Sequence, residues 1–322
     1  MERTVTWSNL SNQALKGQLA GIRGSWLRFL LLLGLAVGML SACAVKPAML
    51  KIEGIEKPVA PGTIVDARTG HAITFDELIQ QLSEVRVVYV GEHHTDMRDH
   101  QIQLKIIRAL VEKGLDVRVG MEMFAHTYQE VLNRWSAGDL SWEEFLKLTH
   151  WYANWKFDDG LYKDILVYIR QRHLKLIGLN IPFCIPPKIA VGGLDSLSPY
   201  DRSQLPAQID TTNPEHRAYL EAIFKMHHLK GHEDFENFYA AQCAWEDGMA
   251  QAVADNLDDA HMVVLAGDGH IERKFGIPNR AFKRTGASFR TVYLAFPGMT
   301  ITRDYADFIW VTPPLTSAMG MP

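Results

Sequence analysis

The feature that most restricts this chain is a rhythm. Apolar, β-rich runs at residues 85–90, 117–123, 174–179, 262–266 and 289–295 alternate with segments of helical period. The helical pattern is plainest over residues 96–113, where Ile102, Ile106, Ile107, Leu110 and Val111 share one face, acids stand at the start and Gly114 follows the end. Thr74-Phe75-Asp76-Glu77 and Ser141-Trp142-Glu143-Glu144 have the spacing of capping boxes, predicting helices over 74–82 and 141–150. Further helices are expected at 128–136, 162–173 and 237–257. Strands separated by helices imply an α/β fold: a mainly parallel sheet with helices on both faces.

The N-terminal region carries a different signature. Arg23 and Arg28 precede an apolar run, residues 29–40, that ends in Leu40-Ser41-Ala42-Cys43. Such a run is too short to span a bilayer and has the charged front and small-residue exit of a signal peptide. Leu-Ser-Ala-Cys matches the lipobox read by lipoprotein signal peptidase, so residues 1–42 are expected to be removed and Cys43 to carry lipid. Of the 322 residues, 280 then remain, a size fit for one large domain or a domain with an inserted cap. Ala44 after the lipidated cysteine favours the outer membrane, with the domain facing the periplasm. Residues 43–62, with Pro47, Pro58 and Pro61 and no apolar periodicity, read as a lipid-anchored tether, and residues 63–322 as the domain. Around 184–235 the rhythm breaks: Pro186, Pro187, Pro199, Pro206 and Pro214 accompany the patch Lys225-Met226-His227-His228-Leu229-Lys230-Gly231-His232. This stretch is expected to form an inserted helical cap.

Composition removes other classes. An apolar content of 47% with 22% charged residues supplies a packed core. A net charge of −4 without a basic stripe gives no electrostatic footprint for nucleic acid. Once Cys43 is lipidated, Cys184 and Cys243 remain, and sequence alone does not bring them within bonding distance.

Polar residues that would be awkward in a core gather where the strands end. The first run leads into Gly91-Glu92-His93-His94-Thr95-Asp96, the second into Glu122, the third into Asn180 and the fourth into Gly267-Asp268-Gly269-His270. In an open parallel sheet the carboxyl ends share one edge, and the crevice there is the usual ligand site. Glu92, His94, Glu122 and His270 are therefore expected on one rim. Carboxylates and imidazoles so placed can position and deprotonate water, as catalytic residues of a hydrolase, or ligate a divalent metal. A Gly-x-Ser-x-Gly elbow, a dinucleotide fingerprint, a P-loop and His-Glu-x-x-His are all missing.

At these motifs the chain resembles a known family. Val88-Tyr89-Val90-Gly91-Glu92-His93-His94-Thr95-Asp96, Gly120-Met121-Glu122-Met123-Phe124, Ile177-Gly178-Leu179-Asn180 and Ala266-Gly267-Asp268-Gly269-His270 look like successive motifs of the ChaN-like haem-binding lipoproteins. That family shares a superfamily with Tiki proteases, TraB proteins and erythromycin esterases. Phe238-Tyr239-Ala240-Ala241-Gln242, running into Trp245-Glu246-Asp247-Gly248-Met249-Ala250, resembles the helix before the last motif, with Glu246 standing where aspartate is expected. The resemblance implies bacterial iron and haem acquisition, with haem held at a homodimer interface through tyrosine and histidine. In the superfamily's hydrolases the comparable elements supply catalytic groups, here Glu92, His94, Glu122 and His270. Two readings follow. In one the protein binds or transfers haem, with His227, His228, His232, Tyr152, Tyr162 and Tyr239 as candidate ligands. In the other the rim is a working hydrolase site, metal-dependent or water-activating.

Overall fold

The computed structural model describes residues 48–227 and 234–313. The predicted signal peptide, Cys43, His228 and His232 lie outside the described residues, as does the side chain of His227.

The described residues begin with three short strands, β1 (Lys51–Glu53), β2 (Ile64–Asp66) and β3 (His71–Ile73), then α1 (Phe75–Leu82), β4 (Val87–Glu92), α2 (Met97–Glu112) and β5 (Val117–Ala125). Helices α3 (Gln129–Ala137), α4 (Trp142–Leu148), α5 (Trp151–Asn154) and α6 (Lys163–Gln171) lead to β6 (Lys175–Asn180). Next come α7 (Ile185–Gly192), α8 (Pro199–Ser203), α9 (Pro214–His227) and the long α10 (Phe235–Asn256). The chain then continues through β7 (His261–Gly267), α11 (Ile277–Thr285), β8 (Phe289–Ala295), β9 (Thr300–Thr302) and β10 (Phe308–Val311). Both expected capping boxes form, on Thr74 with Glu77 and on Ser141 with Glu144. Asp234 caps α10 by accepting from the N–H groups of Glu236 and Asn237.

Among the described residues the main sheet has eight strands, in the order β3-β2-β10-β8-β4-β7-β5-β6. From β10 to β6 every neighbouring pair is parallel, whereas β2 and β3 are antiparallel. Alternation along the strands supplies two cores. Val88, Val90, Val119, Met121, Val263 and Leu265 face α1 to α4 and α6. Val87, Tyr89, Ile177, Leu179, Met262 and Val264 face α10 and α11. Helices thus cover both faces, as a mostly parallel sheet requires. Chain order reverses at β4: β7, β5 and β6 lie to one side of it, β8 and β10 to the other. A crevice opens at such a switch, beyond the carboxyl ends of the strands.

One expectation needs revision. The tether assigned to residues 43–62 has joined the fold by Leu50: β1 pairs in parallel with β9, and Leu50, Ile52 and Val59 are buried in a third core with Tyr293 and Ile309. Its apolar residues are too few to show a period, and their partners come from the far end of the chain. For the same reason β2, β3, β9 and β10, three or four residues each, escape a sequence reading. Within residues 184–227 lie the helices α7, α8 and α9, of which α7 and α9 pack on α10 through small apolar cores of their own. Among the described residues no helix is long and apolar enough to cross a membrane.

Candidate functional site

The strand ends are shaped by close approach. Gly91 ends β4's apolar run because a Cβ there would lie 1.9 Å from Asp268 Oδ1. The register of β5 against β6 shifts between Met121 and Ala125, and its pairing with β7 stops at Met121↔Leu265. Irregularities of this kind re-aim a side chain. Here the residue is Glu122, whose Oε2 accepts the Gly267 N–H at 2.7 Å while Oε1 lies 3.4 Å from His270 Nε2. Asn180, at the end of β6, donates its side-chain N–H to the Glu122 carbonyl at 2.9 Å. His94 fits over Gly267, where a Cβ would stand 2.8 Å from His94 Cε1 and 3.6 Å from Glu122 Oε2. Glu92, His94, Glu122 and His270 are thereby brought into one crevice.

Two imidazole systems face each other there. His94 Nδ1 lies 2.9 Å from Glu92 Oε1, and that oxygen also accepts the Tyr162 hydroxyl at 2.6 Å. Glu92 Oε2 accepts from Gln103 Nε2 at 2.9 Å. A carboxylate fixed on both oxygens holds the proton of a neutral His94 on Nδ1 and leaves Nε2 as the acceptor. Burial works against a charge on His94, but the hydrogen bond to Glu92 and the charges of Glu122 and Glu92 outweigh it and raise the pKa. His270 is gripped on both sides, its Nδ1 being 3.5 Å from Glu246 Oε1. Burial opposes its charge too, yet Glu122 and Glu246 push its pKa up to about 10, so it is an imidazolium at neutral pH. Burial would raise both glutamates, but the His270 charge, helped at Glu246 by His216 and Arg280, holds them below their ordinary value. Glu246 Oε2 lies 3.3 Å from Arg280 Nε and 3.4 Å from His216 Nε2.

Aromatic rings wall the crevice. Trp155 and Phe157 stand 4.8 and 5.2 Å from the His94 ring, and Trp245 stands 4.9 Å from that of His270. Beside it an apolar groove of about 200 Å³ lies between α7 and α10, lined by Phe183, Pro186, Pro187, Phe238, Gln242 and Trp245. Gln242 belongs to both, since its Nε2 is 2.9 Å from Glu246 Oε1 and 3.2 Å from His270 Nδ1. On the other lip His93 Nδ1 lies 3.0 Å from Asp99 Oδ2 and 3.3 Å from Asp268 Oδ2. Burial drives the Asp268 pKa well above the carboxylate range, followed by repulsion from Asp99, Glu272 and Glu92. Among the described residues, no group of three or more His, Cys, Asp or Glu side chains is spaced to hold a metal ion.

The tyrosine candidates separate. Tyr162 is fully buried with its hydroxyl spent on Glu92, and Tyr239 is buried with its hydroxyl donating to the Asn213 carbonyl at 3.2 Å. Both hydroxyls are engaged inside the fold. Tyr152, 58% exposed and donating to Asp159, presents its ring to solvent. Cys184 and Cys243 are free thiols, one exposed and one buried. Sequence reasoning missed Gln103, Tyr162's role under Glu92, and Glu246 as the second partner of His270. A usable signal existed for the helix α2: Asp99 and Gln103 stand in helical spacing with the apolar Ile106 and Leu110, and both are fully buried. For Glu246 the longer arm keeps a carboxylate in reach of His270 where aspartate was expected.

Several solved structures are similar to this chain. A structure described as cofacial haem binding to ChaN of Campylobacter jejuni is 20% identical, with 77% of this chain and 95% of that chain aligned at a TM-score of 0.63. An erythromycin esterase variant in its open conformation is 15% identical, with coverage of 73% and 76% and a TM-score of 0.44. The type III effector HopBA1 is 13% identical, with coverage of 74% and 92% and a TM-score of 0.41. No curated protein matches the chain significantly. The model of the family described as haem-binding uptake, Tiki superfamily, ChaN, matches residues 78–281, well over half of the sequence, and the chain belongs to that family.

Proposed function

We propose that this protein binds haem as a lipid-anchored component of bacterial haem uptake, sorted to the outer membrane and facing the periplasm, with a second copy closing over the bound porphyrin. Family membership across residues 78–281 carries this reading. The residues present fit the group. Phe183, Pro186, Pro187, Phe238 and Trp245 offer the apolar wall that a flat macrocycle needs, and the Phe238 ring stands 5.3 Å from that of Phe224, one turn before His227. Sites that bury a ligand almost completely enclose roughly 300–1,000 Å³. A groove of about 200 Å³ covers only part of a porphyrin, which leaves an apolar face for a symmetry mate. Ferric haem accepts imidazole or phenolate as axial ligand. His227, His228, His232 and the exposed Tyr152 are the side chains that would hold it.

The anchor and the ligands are tested separately. Changing Cys43→Ala is expected to leave an unprocessed precursor without lipid, read by labelled palmitate and globomycin sensitivity; normal maturation overturns the anchor. Changing His227, His228 and His232 together to alanine, or Tyr152→Phe, is expected to shift or weaken the Soret band. His270→Ala is expected to leave haem titration nearly unchanged.

A second reading is favoured by the Glu92–His94 pair. Locked by Tyr162 and Gln103, this pair has the form of a base and its orienting carboxylate, and His94 Nε2 could take a proton from water. Hydrolytic activity lost in both Glu92→Ala and His94→Ala, in a chain without haem affinity, would establish it over haem binding.

A further inference from the structure

Away from the crevice, a cavity of about 820 Å³ lies between the segment after α8 and the helices α10 and α11. This volume falls within the range of small-molecule sites. Arg280, Lys283 and Arg284, spaced i, i+3 and i+4 on α11, all line it, and they outnumber its two carboxylates, Asp210 and Asp247. Asp247 is fully buried and acts as a strap: it accepts from Arg280, from Arg284 Nη2 at 2.7 Å and from the Asp210 N–H at 2.7 Å. A guanidinium held on a buried carboxylate is oriented in advance, so little freedom is lost when it meets a ligand. Arg284 also donates to Gln251 Oε1 at 3.2 Å and to the Arg280 carbonyl at 2.9 Å, which with Asp247 uses three of its five N–H groups. Lys283 is 61% exposed and holds Asp210 Oδ2 at 2.7 Å. Such a surface pair is weak and exchangeable.

We propose that this cavity is a binding site for a small hydroxylated anion, a phosphate ester or carboxylate. The anionic end meets Arg284 and Lys283, and Asp210 and the Gln251 amide meet the hydroxyl groups. One excess positive charge, pre-oriented donors and adjacent acceptors fit that class better than a simple hydrophobe or a cation. The same chemistry is found on a phospholipid headgroup, so the test separates the two sources.

Inorganic phosphate is titrated calorimetrically into the purified chain at constant ionic strength, with chloride as reference. Saturable one-site binding is expected, weakened about tenfold by Lys283→Glu and in the same direction but less by Lys283→Gln. Lys147→Glu, an exposed charge reversal on α4, is expected to bind like the unaltered chain. Arg280 is left in place because it also supports Glu246. Circular dichroism confirms that each variant is folded. Absence of saturable binding, or equal loss in the Lys147 and Lys283 variants, overturns the site. Binding to phosphatidylglycerol but not phosphatidylcholine vesicles that depends on Lys283, without binding of free phosphate, overturns it in favour of a lipid headgroup.

Discussion

Glu122 belongs to β5, yet its Oε2 completes β7 by accepting the Gly267 N–H at 2.7 Å. One side chain thus replaces the strand pairing that β5 abandons after Met121, and its other oxygen holds His270. Structure and site share this residue. Truncating Glu122→Ala leaves a buried N–H without its partner and the His270 imidazolium with only one of its two carboxylates. Breaking a buried pair in this way costs about 3–5 kcal/mol. Glu122→Gln, which keeps the shape and one acceptor, is expected to cost distinctly less. Denaturant midpoints of the two variants check the order.

The His270 charge makes stability depend on alkaline pH. Its folded pKa of about 10 stands above the free value of 6.5, so folding tightens proton binding. The resulting stabilisation is complete below the free value and disappears as pH rises through the folded one. The unaltered chain is therefore expected to lose stability across that window, while His270→Gln shows a flatter profile. Urea unfolding at the two ends of the window measures it, and parallel profiles would show that His270 is not charged in the fold.

Glycines around the crevice should differ sharply. A Cβ at Gly276 would lie 2.4 Å from the His270 carbonyl oxygen and 2.9 Å from Glu246 Oε1, whereas one at Gly269 meets nothing within 4 Å. Backbone cannot step aside as a flexible side chain can. Gly276→Ala is expected to cost about 1–3 kcal/mol, and Gly269→Ala well under that. Thermal unfolding of the pair tests whether this crevice is as tightly built as it looks.

How much could be read in advance followed the range of the interactions. The parallel strands and capped helices were legible because periodicity and capping are local: Ser141 finds Glu144 three residues away. Glu92, His94, Glu122 and His270 were legible because each adjoins the end of an apolar run. Glu246 lies in mid-helix, and its part depends on α10 packing across the crevice from His270, a relation that no local pattern encodes. Likewise Leu50 and Ile52 acquire meaning only when β9, from the other end of the chain, arrives beside β1. Tyr162 stood out because its residue type suits iron, whereas its place beneath Glu92 depends on how α6 packs, which residue type does not encode.

Whether this protein binds haem between two copies is decided by haem titration of the mature chain, with the Soret band and the solution mass followed together. A saturating Soret band is expected, with a rise in mass toward a dimer on loading, loss or shift of the band in Tyr152→Phe or the triple histidine variant, and little change in His270→Ala. A chain that takes up no haem, stays monomeric, and shows a hydrolytic activity that Glu92→Ala abolishes would contradict haem binding.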